Sequence, residues 1–342
     1  MPRFTVPVGK EPKGECKILF IIGNGFDLGL GMETRYSDMY ESYIKAESKS
    51  ESIKAFKERL SNDIKYENWS DFEMAMARKA NDFSSENEFV ECIRDFKRHM
   101  VDHLDRETQS IDKRLNQIAF TEQRDVMWES ITNFEYGLIP NDEKEIKRIR
   151  GDKELTYNFL TFNYTKIFDH LLRFVNINDD PLHIHGMLGE DIVTGVDGDD
   201  QLVQTNYKVT RKTERAFIKP KFNESFDKER IKKAAEMITE SNIICSYGFS
   251  YGESDRMWLN FISQWLLANA GHHLVAFVYD ETFYDKINPD IRMDAEEEKK
   301  FELLKKLGLS ENENVFNQVH IPVGYDIFNL NFANIETNLL PV

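Results

Sequence analysis

Cysteine is nearly missing from this chain: Cys16, Cys92 and Cys245 are the only three in 342 residues. None stands in C-x-x-C spacing, so neither a disulfide framework nor a structural zinc site is indicated, and a reducing compartment fits. Long apolar runs are missing as well. Ile18 to Ile22 is too short for the apolar segment of a secretory leader, and no stretch approaches the roughly 20 apolar residues of a membrane span. A soluble, cytoplasmic protein with no membrane contact is the expectation. Nor is there an excess of positive charge. The formal net charge of −16 argues against a general binder of nucleic acid, because phosphate binding is driven by Lys and Arg. The balance reverses only between Tyr207 and Lys221, where Lys208, Arg211, Lys212, Arg215, Lys219 and Lys221 face a single acid, Glu214. A solvated surface loop is expected there, with a phosphate or partner contact as the alternative.

What is present is ordinary in bulk, 41% hydrophobic and 30% charged, enough to bury a core in one large domain or two. The sharpest feature is local. Lys17-Ile18-Leu19-Phe20-Ile21-Ile22 runs straight into Gly23-Asn24-Gly25-Phe26-Asp27. An unbroken apolar run followed by Gly-x-Gly reads as a buried parallel strand ending in a tight, glycine-permitted turn. If a helix follows, its free N–H groups would suit a dinucleotide pyrophosphate. The usual dinucleotide-binding fingerprint is incomplete, however. Leu28 occupies the third glycine's place, and residues 36–66 are charged and helical where a second strand with an acidic ribose ligand belongs.

Residues 1–16 form a polar arm. From Tyr36 to Phe134 the periodicity is helical: Ile53, Phe56, Leu60 and Ile64 share one face, and Phe89, Ile93, Phe96 and Met100 another. Pro140 to Glu154 reads as an exposed connection. Strands and helices then alternate. Strands are expected at Tyr157–Phe162, Leu182–His185, Ile192–Thr194, Asn242–Tyr247, Leu274–Tyr279 and Val315–Ile321. Helices are expected at Lys166–Val175, Lys228–Glu240, Ser254–Asn269 and Ala295–Leu307. This order predicts an α/β fold with a Rossmann-like, mainly parallel sheet. Residues 1–35 and 151–342 would build the nucleotide-binding domain, and residues 36–150 a large helical insertion.

Ligands of open parallel sheets bind beyond the carboxyl ends of the strands. Four such ends here carry polar residues: Gly23 to Asp27, Thr161-Phe162-Asn163-Tyr164-Thr165, His183-Ile184-His185-Gly186, and Gly248-Phe249-Ser250-Tyr251-Gly252-Glu253. Each has a plain structural use as well. Asn163 could cap a helix and Asn24 and Asp27 could stabilise a turn. His183 and His185 share a strand face, but no third ligand stands at metal spacing, so no metal is expected. Cys245 reads as a buried small hydrophobe, Trp258 and Trp265 as core, and His99 and His103 as surface or packing residues. Gly248 to Gly252 also fits G-x-S-x-G between a strand and a helix, which makes Ser250 a candidate hydrolase nucleophile with Asp280 and His320 as partners.

Taken together, GNGFDLGLG (23–31), TRYSDMY (34–40), ENWSDFE (67–73), LTFNYT (160–165), HIHG (183–186) and YGFSYGESD (247–255) resemble the AbiH-like phage abortive-infection proteins. More distantly, the same order resembles the sirtuin NAD-binding fold. Gly23-Asn24-Gly25 stands at the place of its G-A-G turn, Asn163 at its motif asparagine, His185-Gly186 at its H-G, and Ser246 to Ser250 at its last loop. Thr165 replaces that family's motif aspartate and the zinc-ribbon cysteines are missing, which speaks against a protein deacylase. The resemblance implies a sirtuin-like effector that binds NAD as substrate and cleaves its nicotinamide–ribose bond. Asn163 would orient ribose or water, and His185 would be the base. Gly23, Asn24, Gly25, Phe26, Asp27, Thr161, Tyr164, Gly186, Ser246, Gly248 and Ser250 would bind the nucleotide, with Phe26, Tyr164 and Phe249 as stacking candidates. A non-catalytic nucleotide or ADP-ribose sensor is the further alternative. A phage-derived trigger and self-association through the helical insertion are the implied partners.

Overall fold

The computed structural model describes residues 14–63, 71–175, 177, 180–279, 289–324 and 326–329. Its centre is a six-stranded sheet: β1 (Glu15–Ile22), β2 (Glu154–Thr161), β3 (Leu182–His183), β4 (Ile243–Tyr247), β5 (His273–Phe277) and β6 (Val319–His320). The order across the sheet is β3-β2-β1-β4-β5-β6, and every pairing is parallel. The α-helices are α1 (Gly25–Gly29), α2 (Tyr36–Lys45), α3 (Glu51–Asp63), α4 (Phe72–Arg78), α5 (Glu86–Leu115), α6 (Phe120–Thr132), α7 (Pro140–Arg150), α8 (Ile167–Leu172), α9 (Arg211–Phe217), α10 (Lys219–Phe226), α11 (Lys228–Glu240), α12 (Arg256–Ala268), α13 (Pro289–Lys306) and α14 (Glu313–Phe316). Among the described residues no helix is long and apolar enough to cross a membrane.

The apolar run of β1 follows from burial on both faces. Ile18, Phe20 and Ile22 pack with Met127 and Ile131 of α6, Ile146 and Ile149 of α7, and Phe168 of α8. Leu19 and Ile21, pointing the other way, pack with Ile238 of α11, Trp258 and Ile262 of α12, and Leu304 of α13. A third apolar cluster joins α2 to α5 with Leu188, Ile192, Val196, Phe217 and Ile218. The helical region therefore shares a core with the segment after β3.

Several expected elements differ. Pro140 to Arg150 is a helix rather than an exposed connection; Pro140 starts it, and buried Ile146 and Ile149 anchor it. Ile192–Thr194 forms no strand and leaves only an isolated bridge from Ile192 to Gly186. The last strand shrinks to Val319–His320, because Glu313–Phe316 is a short helix capped by Asn312. The basic segment is no loop either. It folds as α9 and the start of α10, with Thr213, Phe217 and Lys219 buried.

Register sets the position of the turns. Ile22 pairs with both Thr161 and Tyr247, and Thr161 pairs with His183. The chain therefore leaves β1, β2, β3 and β4 in one row. At its centre two turns interlock. The Gly23 N–H donates to the Tyr247 carbonyl and the Gly25 N–H to the Gly248 carbonyl, each at 2.9 Å. A Cβ on Gly25 would lie 2.4 Å from Gly248 Cα, and one on Gly23 2.5 Å from Gly248 O. Gly248 itself has φ +65, which favours glycine.

This contact yields a stability test. Gly25→Ala is expected to lower the unfolding free energy by about 3 kcal/mol, since the methyl group meets backbone that cannot retreat. Gly29→Ala, whose Cβ would meet only the Tyr247 hydroxyl at 3.5 Å, should shift it by less than about 1 kcal/mol. Urea midpoints of the two variants decide the matter; equal values would refute the interlock.

Candidate functional site

Beyond this row of turns lies a cavity of about 620 Å³. Of the residues expected to bind or act on a ligand, Gly23, Asn24, Gly25, Asp27, Asn163, Tyr164, His185, Gly248 and Ser250 line it. Phe162, Phe249 and Tyr251 add an aromatic wall, with ring centroids 4.5 Å apart for Phe162–Phe249 and 4.7 Å for Phe249–Tyr251.

Asn163 is fixed from behind. It does not cap a helix, since α8 begins only at Ile167. Its Nδ2 donates to Asp27 Oδ1 at 3.1 Å, and Thr165 Oγ1 donates to Asp27 Oδ2 at 2.7 Å. Its backbone N–H donates to Thr161 Oγ1 at 3.1 Å, and its carbonyl faces His183 Nδ1 at 3.0 Å. The other ring nitrogen of His183 faces both carboxylate oxygens of Asp169 at 3.0 Å. The ring is thus held between a carbonyl on one side and a carboxylate on the other. What remains of Asn163 is Oδ1, buried and without a hydrogen-bond partner among the described residues. Burial pushes Asp27 up to about 7, against the hydrogen bonds from Thr165 and Asn163.

His185 is held in the same manner from another direction. Its Nε2 donates to Asp255 Oδ1 at 2.9 Å, and its Nδ1 is buried with no partner among the described residues. Asp255 also accepts from Lys219 Nζ at 2.8 Å, and Lys219 lies 3.4 Å from Glu73 Oε2. Burial, and then the Lys219 charge, lower the His185 imidazole below its ordinary value. The ring is thus neutral near pH 7, with its proton on Nε2 and its free lone pair on Nδ1. Burial alone would raise Asp255, but Lys219 and then His185 hold it well below the usual carboxylate range. Glu73 accepts from the Gly195 N–H at 2.8 Å, yet burial pushes it up to about 7 despite Lys219. Asn163 and His185 are both only 5% exposed, so the cavity floor presents two unpaired acceptors.

Other expected site residues sit elsewhere. Phe26 is core, packed edge-on against Phe168 at 5.1 Å. Thr161 supports the Asn163 backbone, and the Ser246 hydroxyl bonds the Tyr251 hydroxyl at 2.6 Å. Gly186 has φ +74, and a Cβ there would lie 1.7 Å from Asp191 O, so that glycine serves the chain's own packing. The Gly-x-Gly turn is not an amide cradle. The N–H groups of Gly23, Gly25 and Phe26 are spent on backbone carbonyls, and α1 is only 5 residues long. Ser250 is exposed at the cavity wall, but His320 is not beside it. His320 lies level with Cys245 within the sheet, bonded to His273 at 2.9 Å and facing Asp142 at 2.9 Å. Asp280 lies outside the described residues. Cys245, Trp258 and Trp265 are buried core, and His103 is buried too.

Sequence reasoning missed Asp255, Lys219 and Glu73. Asp255 ends the YGESD run, Lys219 was hidden in a basic stretch, and Glu73 closes ENWSDFE, whose residues 67–70 lie outside the described ones. Buried charges of this kind have no local periodicity to betray them.

A family model described as "Bacteriophage abortive infection AbiH" matches residues 19–277. No curated protein matches the chain at a significant level.

The ion-pair network makes a checkable demand. Lys219→Met should cost about 3–5 kcal/mol of unfolding free energy at pH 8, because it leaves the Glu73 and Asp255 carboxylates buried without their cation. The loss should shrink as pH falls below 7, where Glu73 takes up a proton and its share of the unpaired charge disappears. Denaturant titrations at pH 6 and pH 8 read both quantities; a cost independent of pH would contradict the assignment.

Proposed function

The chain belongs to the bacteriophage abortive infection AbiH family, and from that premise we propose that it is a defence effector that binds NAD and cleaves its nicotinamide–ribose bond. One observation carries this reading: two buried, unpaired acceptors, Asn163 Oδ1 and His185 Nδ1, on the floor of one cavity. Buried acceptors left open call for hydroxyls or water as ligands. The sheet order supports a dinucleotide in particular. With β1 at its centre and connections running outward to β3 on one side and β6 on the other, it agrees with a doubly wound, Rossmann-like reading. Ligands of such sheets sit where the order reverses, here between β1 and β4.

The proposed step uses these groups directly. The C1′–N bond breaks, nicotinamide leaves with the electron pair, and the ribose passes through an oxocarbenium-like state. Asn163 Oδ1 accepts from a ribose hydroxyl or from the attacking water. Water adds to C1′, and its proton goes to His185 Nδ1, with Asp255 steadying the imidazolium that forms. Asp27 keeps Asn163 in place and lends negative charge near the developing cation. The aromatic wall of Phe162 and Phe249 offers a face to a flat ring. The turn at Gly23–Gly25 contributes close approach rather than phosphate-binding amides.

Nicotinamide release from NAD by the purified full chain is the direct assay. Asn163→Ala and His185→Ala should each lower it by at least about a hundredfold. In phage-infected cells, NAD should fall with the wild-type chain and hold with His185→Ala. Protection against phage with an unchanged NAD level, or fluorophosphonate labelling of Ser250 without nicotinamide release, would overturn the reading.

A further inference from the structure

The cavity has walls of unequal charge. Its inner part is acidic: Asp27, Asp71, Glu73 and Asp255 line it. Asp71 and Glu73 come from the start of α4, in the helical region, and Glu73 lies 3.4 Å from Lys219, whose Nζ also donates to Asp255. The cations nearest to them are already committed. Lys219 is 2% exposed and faces three carboxylates, Asp255, Glu73 and Asp197. Lys97 donates to the Ile192 carbonyl and lies near Glu73 and Asp191. Three carboxylates of the lining, Asp71, Glu73 and Asp255, thus stand with two ammonium groups, both shared with carboxylates outside it, Asp197 and Asp191. The unpaired atoms beside them, Asn163 Oδ1 and His185 Nδ1, are acceptors too. Exposed cations line it as well, Arg35 and Lys306, beside the Lys299–Glu302 ion pair; Lys306 Nζ donates to the Ser250 carbonyl at 2.9 Å.

A floor rich in acceptors and negative charge repels phosphate and attracts hydroxyls and cations. We infer that Asp71 and Glu73 form a wall that receives the cationic end of the ligand, the oxidised pyridinium ring, and that the phosphates lie by Arg35 and Lys306. This rests on the NAD reading above and adds a selectivity to it: the oxidised nucleotide is preferred to the reduced one at the level of binding. The helical region then belongs to the binding site itself.

Calorimetric titration of the full chain with three probes tests this: carba-NAD, whose ring is cationic and whose bond cannot be hydrolysed; NADH, whose ring is neutral; and ADP-ribose, which has no ring. The wild type should bind carba-NAD about tenfold more tightly than NADH, the scale of one partly screened charge pair. In Asp71→Asn/Glu73→Gln the ratio should fall to within about twofold, with ADP-ribose affinity little changed. Should the double variant fail to fold by circular dichroism, Asp71→Asn alone carries the test. Its side chain keeps the cap on the Met74 N–H, and its ratio should drop by at least about threefold. Equal binding of carba-NAD and NADH by the wild type, or an undiminished ratio in the variants, would refute the acidic wall and leave the NAD reading standing. Failure of all three probes to bind would refute both.

Discussion

The contact between two glycine turns, one after β1 and one after β4, fixes the geometry on which the site depends. Parallel neighbours must send their chains away from the sheet at the same end, and side chains would normally hold those exits apart. Here Gly23 and Gly25 meet Gly248 with no Cβ on either side, and two N–H···O bonds join the turns. The glycines that suggest a phosphate cradle thus serve the approach of backbone to backbone. With the turns clasped at the centre of the sheet, Asn24 and Asp27 fall on one side of the row and Phe249 and Ser250 on another. The cavity opens among them. A sheet without this clasp would present the same residues spread apart.

Around that frame, Asn163 and His185 each turn a donor away from the cavity and keep an acceptor. Asn163 Nδ2 donates to Asp27, and His185 gives its one proton to Asp255. Each partner is in turn held, Asp27 by Thr165 and Asp255 by Lys219. An unpaired buried acceptor costs free energy, roughly 1–3 kcal/mol per group, so both groups are a standing disadvantage unless a ligand supplies hydrogens. The same burial that exacts this cost keeps His185 neutral and lifts Asp27 and Glu73 towards 7. Open acceptors and shifted protonation are two consequences of one low-dielectric environment.

Much of the sheet could be read from the residues because a strand buried on both faces must be apolar throughout, as Ile18 to Ile22 is. The residues after each strand likewise stood out against a simple turn composition, and ten of those expected at the site, Phe249 among them, line the cavity. What escaped reading has identifiable causes. The helix at Pro140–Arg150 buries only Ile146 and Ile149 in a charged sequence, too little to give a periodic signal. Phe26 looks like a stacking ring from its place in the motif; only the position of Phe168 and Phe328 shows that it turns inward. The role of Lys219 depends on Glu73 and Asp255, each far from it along the chain and unrelated to it by any repeat. The glycine clasp is of the same kind, since the need for Gly23 arises from Gly248. Local pattern carries element type; pairings between distant segments decide which polar residues act.

The helical region is where this distinction matters most. Read by sequence, residues 36–150 form an insertion with its own periodicity. In the fold the boundary dissolves. Phe89, Phe96 and Met100 at the start of α5 belong to the core shared with Val196 and Phe217, whereas Ile111 and Leu115 at its end belong to the core on the face of the sheet. At 1.5 Å per residue, the 30 residues of α5 span about 45 Å. One continuous rod therefore enters both cores, and either half can shift only by straining the packing of the other. The start of α4 rests on the α5 side of this assembly through the stacked rings of Phe72 and Phe96, 3.6 Å between centroids. That stacking sets where Asp71 and Glu73 stand relative to Asn163 and His185. Met100 and Leu104 of α5 also line the cavity, so this one helix contributes to its wall while it packs into both cores.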